Sequence, residues 1–181
     1  VQHTFWRQLD PEHPAHNGAK RDSTNNAIEG AYTHADRIVG MLMEKHTGSD
    51  TLLMVISDHG FNTFRYGIDL NRWLEENGYL VLKEGGRGLK NLSGVDWSRT
   101  RAFALGLAGI YLNIAGREAQ GIVDPKTEAP ALRDEIAAKL LALNDPAKNT
   151  PAVKQVYNAV KLYSGPYKQD APDLLVGYHI G

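Results

Sequence analysis

The feature that most constrains this chain is the apolar run at 51–57 (TLLMVIS), set off by Gly48-Ser49-Asp50 before it and Asp58-His59-Gly60 after it. An unbroken apolar run of strand length between turn residues is expected of a strand covered on both faces, as in a parallel sheet. Upstream, Asp22 or Ser23 can cap a helix reaching to about His46, with Ala27, Ile28, Ala31, Ala35, Ile38, Val39 and Leu42 at helical spacing. A helix followed by a doubly covered strand predicts an α/β fold, with a mostly parallel sheet flanked by helices.

The remaining segments are more mixed. Residues 1–21 read as a loop rich in His, Pro, Asp and Asn, entered from a strand that ends near His3. A short helix is expected at 71–77, stopped by Gly78, then a strand at 79–83 and a mobile glycine-rich excursion at 84–98. Strands are expected at 101–107 and 109–114, joined near Gly106, and an amphipathic helix at 131–143. Residues 151–163 fit a helix or a strand, and 174–178 (LLVGY) a last strand. The sequence shows no internal repeat, low-complexity tract or linker.

Composition narrows the function classes. With 42% hydrophobic and 23% charged residues among 181, the chain can bury a core. A formal net charge of -1 argues against a surface that coats a nucleic-acid duplex, while leaving room for one nucleotide in a local pocket. The absence of cysteine excludes disulfides and thiolate zinc sites. No apolar run approaches the roughly 18 residues of a membrane span. Val1 opens directly into a motif and the last apolar run stops at Gly181, so the natural chain is expected to extend past both ends.

Two polar clusters can carry chemistry. Asp58-His59-Gly60 follows the apolar run, and ligands bind at the carboxyl ends of strands in α/β sheets. Asp offers a hard anionic oxygen and His a neutral nitrogen, a pairing suited to zinc and similar ions. Neighbours on a regular strand point apart, so both reach one metal only where the strand breaks, which Gly60 permits. The competing reading makes Asp58 a turn cap and His59 a solvated loop histidine. In the second cluster, His3, His13 and His16 lie close to Asp10 and Glu12, either as a metal site or as a polar loop anchored by Trp6.

The ordered set of short motifs resembles the type I phosphodiesterase/nucleotide pyrophosphatase family of the alkaline phosphatase superfamily. The segment Gln2-His3-x-Phe5-Trp6-Arg7-x-x-Asp10-Pro11-x-His13-Pro14 and the stretch Ser57-Asp58-His59-Gly60-Phe61 open it. Asp69-Leu70-Asn71-x-Trp73-Leu74 and Gly78-Tyr79-Leu80 come next. Gly109-Ile110-Tyr111-Leu112-Asn113, Gly116-Arg117-Glu118-x-x-Gly121 and Ala171-Pro172-Asp173-Leu174 complete it.

The resemblance implies an alkaline-phosphatase-like fold, incomplete at both ends, with 1–181 forming part of a catalytic domain. It implies hydrolysis of a phosphodiester or nucleotide pyrophosphate at two divalent ions, zinc or alternatively manganese. His3 matches the His of the family's Asp-x-x-x-His pair, whose Asp would precede Val1. Asp58 and His59 match its Asp-His pair, so the implied metal ligands are His3, Asp58 and His59. The nucleophilic Thr or Ser is expected upstream, which leaves no catalytic residue here and these 181 residues inactive by themselves. Their metal positions would be poorly filled, and a second copy could cover an open sheet edge as a homodimer. His179 reads as a strand-end residue and not as the family's final His. Arg7, Asp10 and His13 lie either around the ligands or in plain loop structure, and Phe5 and Trp6 read as packing. The alternatives are a non-catalytic binding domain of the same fold, or a related phosphomutase, sulfatase or phosphonate hydrolase.

Overall fold

The computed structural model describes residues 1–16 and 27–180. They form two units: one holds the described residues up to Gly67 with Ile180, the other spans Ile68–His179.

In the first unit the chain starts with a helical turn, α1 (Gln2–Phe5), followed by a 3-10 turn at Trp6–Gln8. The Val1 carbonyl accepts from the Thr4 and Phe5 amides, both at 3.1 Å, so the segment around His3 is helical and not the end of a strand. The expected long helix forms as α2 (Ala27–His46), with Ile28 buried against its surroundings. Its expected caps, Asp22 and Ser23, lie outside the described residues.

The run at 51–57 is not a strand. It pairs with no strand among the described residues, and Leu52, Met54, Val55 and Ile56 are all exposed, Ile56 at 87%. An apolar run becomes a strand only when a neighbour takes its backbone N–H and C=O groups. No strand lies in this unit among the described residues.

The second unit contains the sheet. Asp69 caps α3 (Leu70–Glu76) by accepting the Arg72 amide at 3.0 Å, and Gly78, at φ 76°, turns the chain out of it. Tyr79 and Leu80 are buried, but the expected strand at 79–83 shrinks to one bridge, Leu82 to Val95. The glycine-rich segment folds back on it, with the Lys83 amide donating to the Gly94 carbonyl at 2.9 Å and Gly86 packed backbone to backbone on Gly94.

Strands β1 (Ala102–Leu105) and β2 (Gly109–Leu112) form a hairpin whose loop begins at Gly106, φ 68°. Helix α4 (Ala129–Leu141) buries Ala129, Leu132, Ile136 and Leu140, a single stripe at helical spacing. A small ladder pairs β3 (Asn144–Asp145) with β4 (Thr150–Pro151). The segment that fitted either helix or strand is both in turn: β5 (Val153–Asn158) runs into α5 (Ala159–Leu162). The last strand, β6 (Leu174–Tyr178), forms as expected.

The main sheet has the order β1-β2-β6-β5, and every pairing in it is antiparallel. The mostly parallel sheet read from the sequence is therefore corrected to an antiparallel one within a mixed α/β structure. Connection length explains part of this: a parallel neighbour needs a crossover of a dozen or more residues, and the short β1–β2 loop allows only a hairpin. Inward residues Ile110, Leu112, Leu174 and Val176 alternate along β2 and β6, and they share one core with Leu74, Tyr79 and the buried stripe of α4. No helix among the described residues is long and apolar enough to cross a membrane.

Several motif residues of this unit tie backbone together. Asn71 gives its side-chain N–H to the Ala104 carbonyl at 3.0 Å and accepts the Ala104 amide at 2.8 Å, pinning α3 to β1. The buried Asn113 side chain donates to the carbonyls of Trp97, Thr100 and Gln120. Asp173 accepts from the Leu112 amide at 2.8 Å, Arg117 at 2.6 Å and Arg133 at 3.2 Å. The polar letters of these motifs satisfy buried backbone and charge, which an interior must do.

Candidate functional site

The site candidates of the first unit sit on two segments far apart in sequence. In the second of them, Asp58 and His59 follow the apolar run and are tied by local hydrogen bonds. The Ser57 hydroxyl donates to the His59 carbonyl at 2.6 Å, and the His59 amide donates to Asp58 Oδ1 at 3.1 Å. His59 Nδ1 lies 2.8 Å from the Gly60 carbonyl, which makes it the protonated nitrogen. His59 Nε2 then faces Asp58 Oδ2 at 3.5 Å.

Helix α1 brings His3 to this loop. The rings of His3 and His59 are 5.6 Å apart, centroid to centroid. Phe61 stands edge-on to both, at 4.8 Å from His3 and 5.3 Å from His59, and stacks on Trp6 at 5.5 Å. Such offset and edge-to-face contacts are favoured by the ring quadrupoles. Trp6 is thus a packing partner of Phe61, in line with its reading as an anchor.

His3, Asp58 and His59 have the donor chemistry of a divalent-metal site, but their arrangement does not complete one. The Asp58 and His59 donors face each other, and no group of three or more His, Asp or Glu among the described residues could hold a metal ion. The side chains are also open to water, Asp58 at 87% and His59 at 51%.

The second cluster is built differently. Asp10 Oδ2 accepts from the Thr63 hydroxyl at 2.5 Å and from Arg65 Nη2 at 3.0 Å, and Oδ1 accepts the Glu12 amide at 2.9 Å. The other prong of Arg65, Nη1, donates to the Glu12 carbonyl. The Thr63 hydroxyl above all, then the Glu12 amide and Arg65, hold the Asp10 carboxyl below the usual carboxylate range. His13 and His16 serve local turns: His13 Nδ1 accepts the Ala15 amide at 2.9 Å, and His16 Nδ1 donates to the Arg7 carbonyl at 2.8 Å. Arg7 itself is exposed. Thr63 and Arg65 had no motif around them to single them out, and only their place just after Asp58-His59-Gly60-Phe61 hinted at them.

In the second unit His179 is exposed past the end of β6, its amide bonded to the Ala152 carbonyl at 3.1 Å, which suits a strand-end residue.

A search of curated proteins and of solved structures finds no match to this chain. The family profile described as type I phosphodiesterase / nucleotide pyrophosphatase, in contrast, matches residues 1–179. With nearly its whole length covered and the two His segments placed side by side, the chain belongs to the type I phosphodiesterase / nucleotide pyrophosphatase family, a hydrolase family of the alkaline phosphatase superfamily.

Proposed function

We propose that the protein hydrolyses phosphate esters, a phosphodiester or a nucleotide pyrophosphate, in a metal-dependent reaction, and that residues 1–181 form part of its catalytic domain. The observation that carries this reading is the approach of His3 and His59 to 5.6 Å from two separate motifs of a phosphodiesterase-family chain. His3, Asp58 and His59 would be protein ligands to two divalent ions, zinc or alternatively manganese. Ions of this kind offset phosphoryl charge and lower the pKa of an attacking hydroxyl or water. Phe61 and Trp6 would give the histidines a fixed apolar backing, which limits their rotamers while leaving their outer edges open.

Three donors split between two ions fall short of the three protein ligands typical of each catalytic zinc. The donors that complete the set, and the nucleophile, would come from outside the 181 residues. These residues alone would therefore not turn over substrate, and their exposed apolar run 52–56 supports a homodimer as a way of covering it.

The test is metal analysis with hydrolysis of an aryl phosphodiester by the full-length protein. Asp58→Ala and His59→Ala should lose bound metal and activity together, because each removes a donor. Near-normal turnover in His59→Ala would sink the ligand assignment. A full-length protein that binds no metal and hydrolyses nothing would favour a non-catalytic binding domain. Metal-dependent turnover by residues 1–181 alone would overturn the incomplete donor set, and gel filtration reads the dimer.

A further inference from the structure

We infer that Asp10, Thr63 and Arg65 form a clamp that positions His3 beside His59, with Arg65 as the key positioning residue. Asp10 and Thr63 are 53 positions apart in sequence, so the contact closes a long loop. Closing it costs chain entropy, and an apolar contact through Phe61 alone would leave the two segments free to slide. The clamp removes that freedom by geometry. Both oxygens of Asp10 are committed, Oδ1 to the Glu12 amide and Oδ2 to Thr63 and Arg65. Arg65 spans the junction with two prongs, one on the Asp10 carboxylate and one on the Glu12 carbonyl. A planar guanidinium fixes an orientation in this way, whereas a lysine ammonium supplies only a point charge.

Shielding separates the clamp from the open pair. The side chains of Asp10 and Arg65 are 23% and 22% exposed and Thr63 is buried, against 87% for Asp58. Partly shielded, charge-assisted bonds hold their geometry better than solvated ones. His59 precedes Thr63 by four residues, a reach of at most about 14 Å of extended chain. Anchoring Thr63 and Arg65 on Asp10 therefore limits how far His59 can move from the segment that carries His3. Among the described residues Asp10 and Arg65 make no hydrogen bond or ion pair with His3, Asp58 or His59, so they act through the loops and not on substrate.

This inference rests on the proposed function, and the experiment separates the two. In the full-length protein, Arg65→Ala and Asp10→Ala are each expected to lower zinc affinity and kcat by about 10-fold with KM little changed, toward the low end of what losing a group that orients a metal ligand costs, because the clamp acts through the loop and not on a ligand. The double variant should lose less than the sum of the two single losses, since the Asp10–Arg65 bond is common to both. Millimolar guanidinium should partly restore Arg65→Ala, and Arg65→Lys should recover less than wild type. In the metal-free protein, the inter-ring nuclear Overhauser effects between His3, His59 and Phe61 should fade in Arg65→Ala. Thr63→Val, which removes one bond and little volume, gives a milder version should Arg65→Ala fold poorly. Wild-type zinc affinity with intact ring contacts in Arg65→Ala, or additive losses in the double variant, would overturn the clamp. If His59→Ala also keeps zinc and turnover, the proposed function falls; if only Arg65→Ala does, the clamp alone falls.

Discussion

Replacing Asp173 by alanine should unfold the second unit more readily than any change at its surface. The Asp173 side chain is 2% exposed, and it faces Arg133 at 3.2 Å and Arg117 at 2.6 Å. The two arginines do not lose equally. Arg117 is 27% exposed and keeps Glu118 and the Leu112 carbonyl as partners. Arg133 is 13% exposed, its Nε already lacks a partner, and Asp173 is the carboxylate it pairs with. Stranding one charge of a buried pair costs about 3–5 kcal/mol, and the water around Arg117 removes most of its share. The Leu112 amide, bonded to Asp173 Oδ2 at 2.8 Å, is also orphaned, at about 1–3 kcal/mol. These losses overlap, because one side chain causes both, so about 4 kcal/mol is expected in total. With a urea m value of about 2 kcal/mol/M, the unfolding midpoint should fall by about 2 M. Asp173→Asn keeps an acceptor for the amide and should lose about half as much. The measurement is urea unfolding followed by circular dichroism at neutral pH. A midpoint shift below about 0.5 M in Asp173→Ala, at unchanged m, would refute the reasoning.

Two further outcomes follow from the same unit. A Cβ on Gly121 would fall on the Ile114 carbonyl, which is backbone and has nowhere to go, so Gly121→Ala should lose about 1–3 kcal/mol and a melting point lowered by less than about 2 °C would contradict this. The Asp124 carboxyl, held low chiefly by the Thr127 amide and then by that of Lys126, and the Glu135 carboxyl, held low chiefly by the Tyr79 hydroxyl, both have depressed folded-state pKa values. Their stabilisation is fully present above the ordinary carboxylate range and is lost as pH falls below it through the lowered folded-state values, so urea midpoints should drop below about pH 4, and less steeply in Asp124→Asn.

What could be read from the sequence was local. The stripe Leu132, Ile136, Leu140 needs no partner to be recognised, because its period belongs to the helix itself. The stop at Gly78 and the hairpin around Gly106 were likewise carried by residues whose backbone preferences act over a few positions. Sheet direction is a different kind of fact. β2 lies beside β6, and no residue of 109–112 records that 174–178 will arrive antiparallel to it. The same holds at the candidate site. His3, Asp58 and His59 could be picked out by residue type and motif, but the partnership of Asp10 with Thr63 and Arg65 exists only once two distant loops meet.

The run at 51–57 shows where local reading reverses. Its composition was read as that of a doubly covered strand, and the structure leaves it exposed, although five consecutive large apolar side chains, Leu52 to Ile56, would gain by leaving water, at about 1.5–3 kcal/mol for each one fully covered. Composition does not state what does the covering. A strand needs neighbours on both edges for its amides and on both faces for its side chains, and the described part of the first unit offers it neither. The segment therefore stays unpaired and exposed, with Asp58 and His59 at its end held by their own short-range bonds and not by a sheet. Covering that run should thus do two things at once. It would satisfy the apolar demand, and it would fix the chain that enters the Asp58-His59 corner, while the Asp10–Arg65 clamp holds the chain that leaves it.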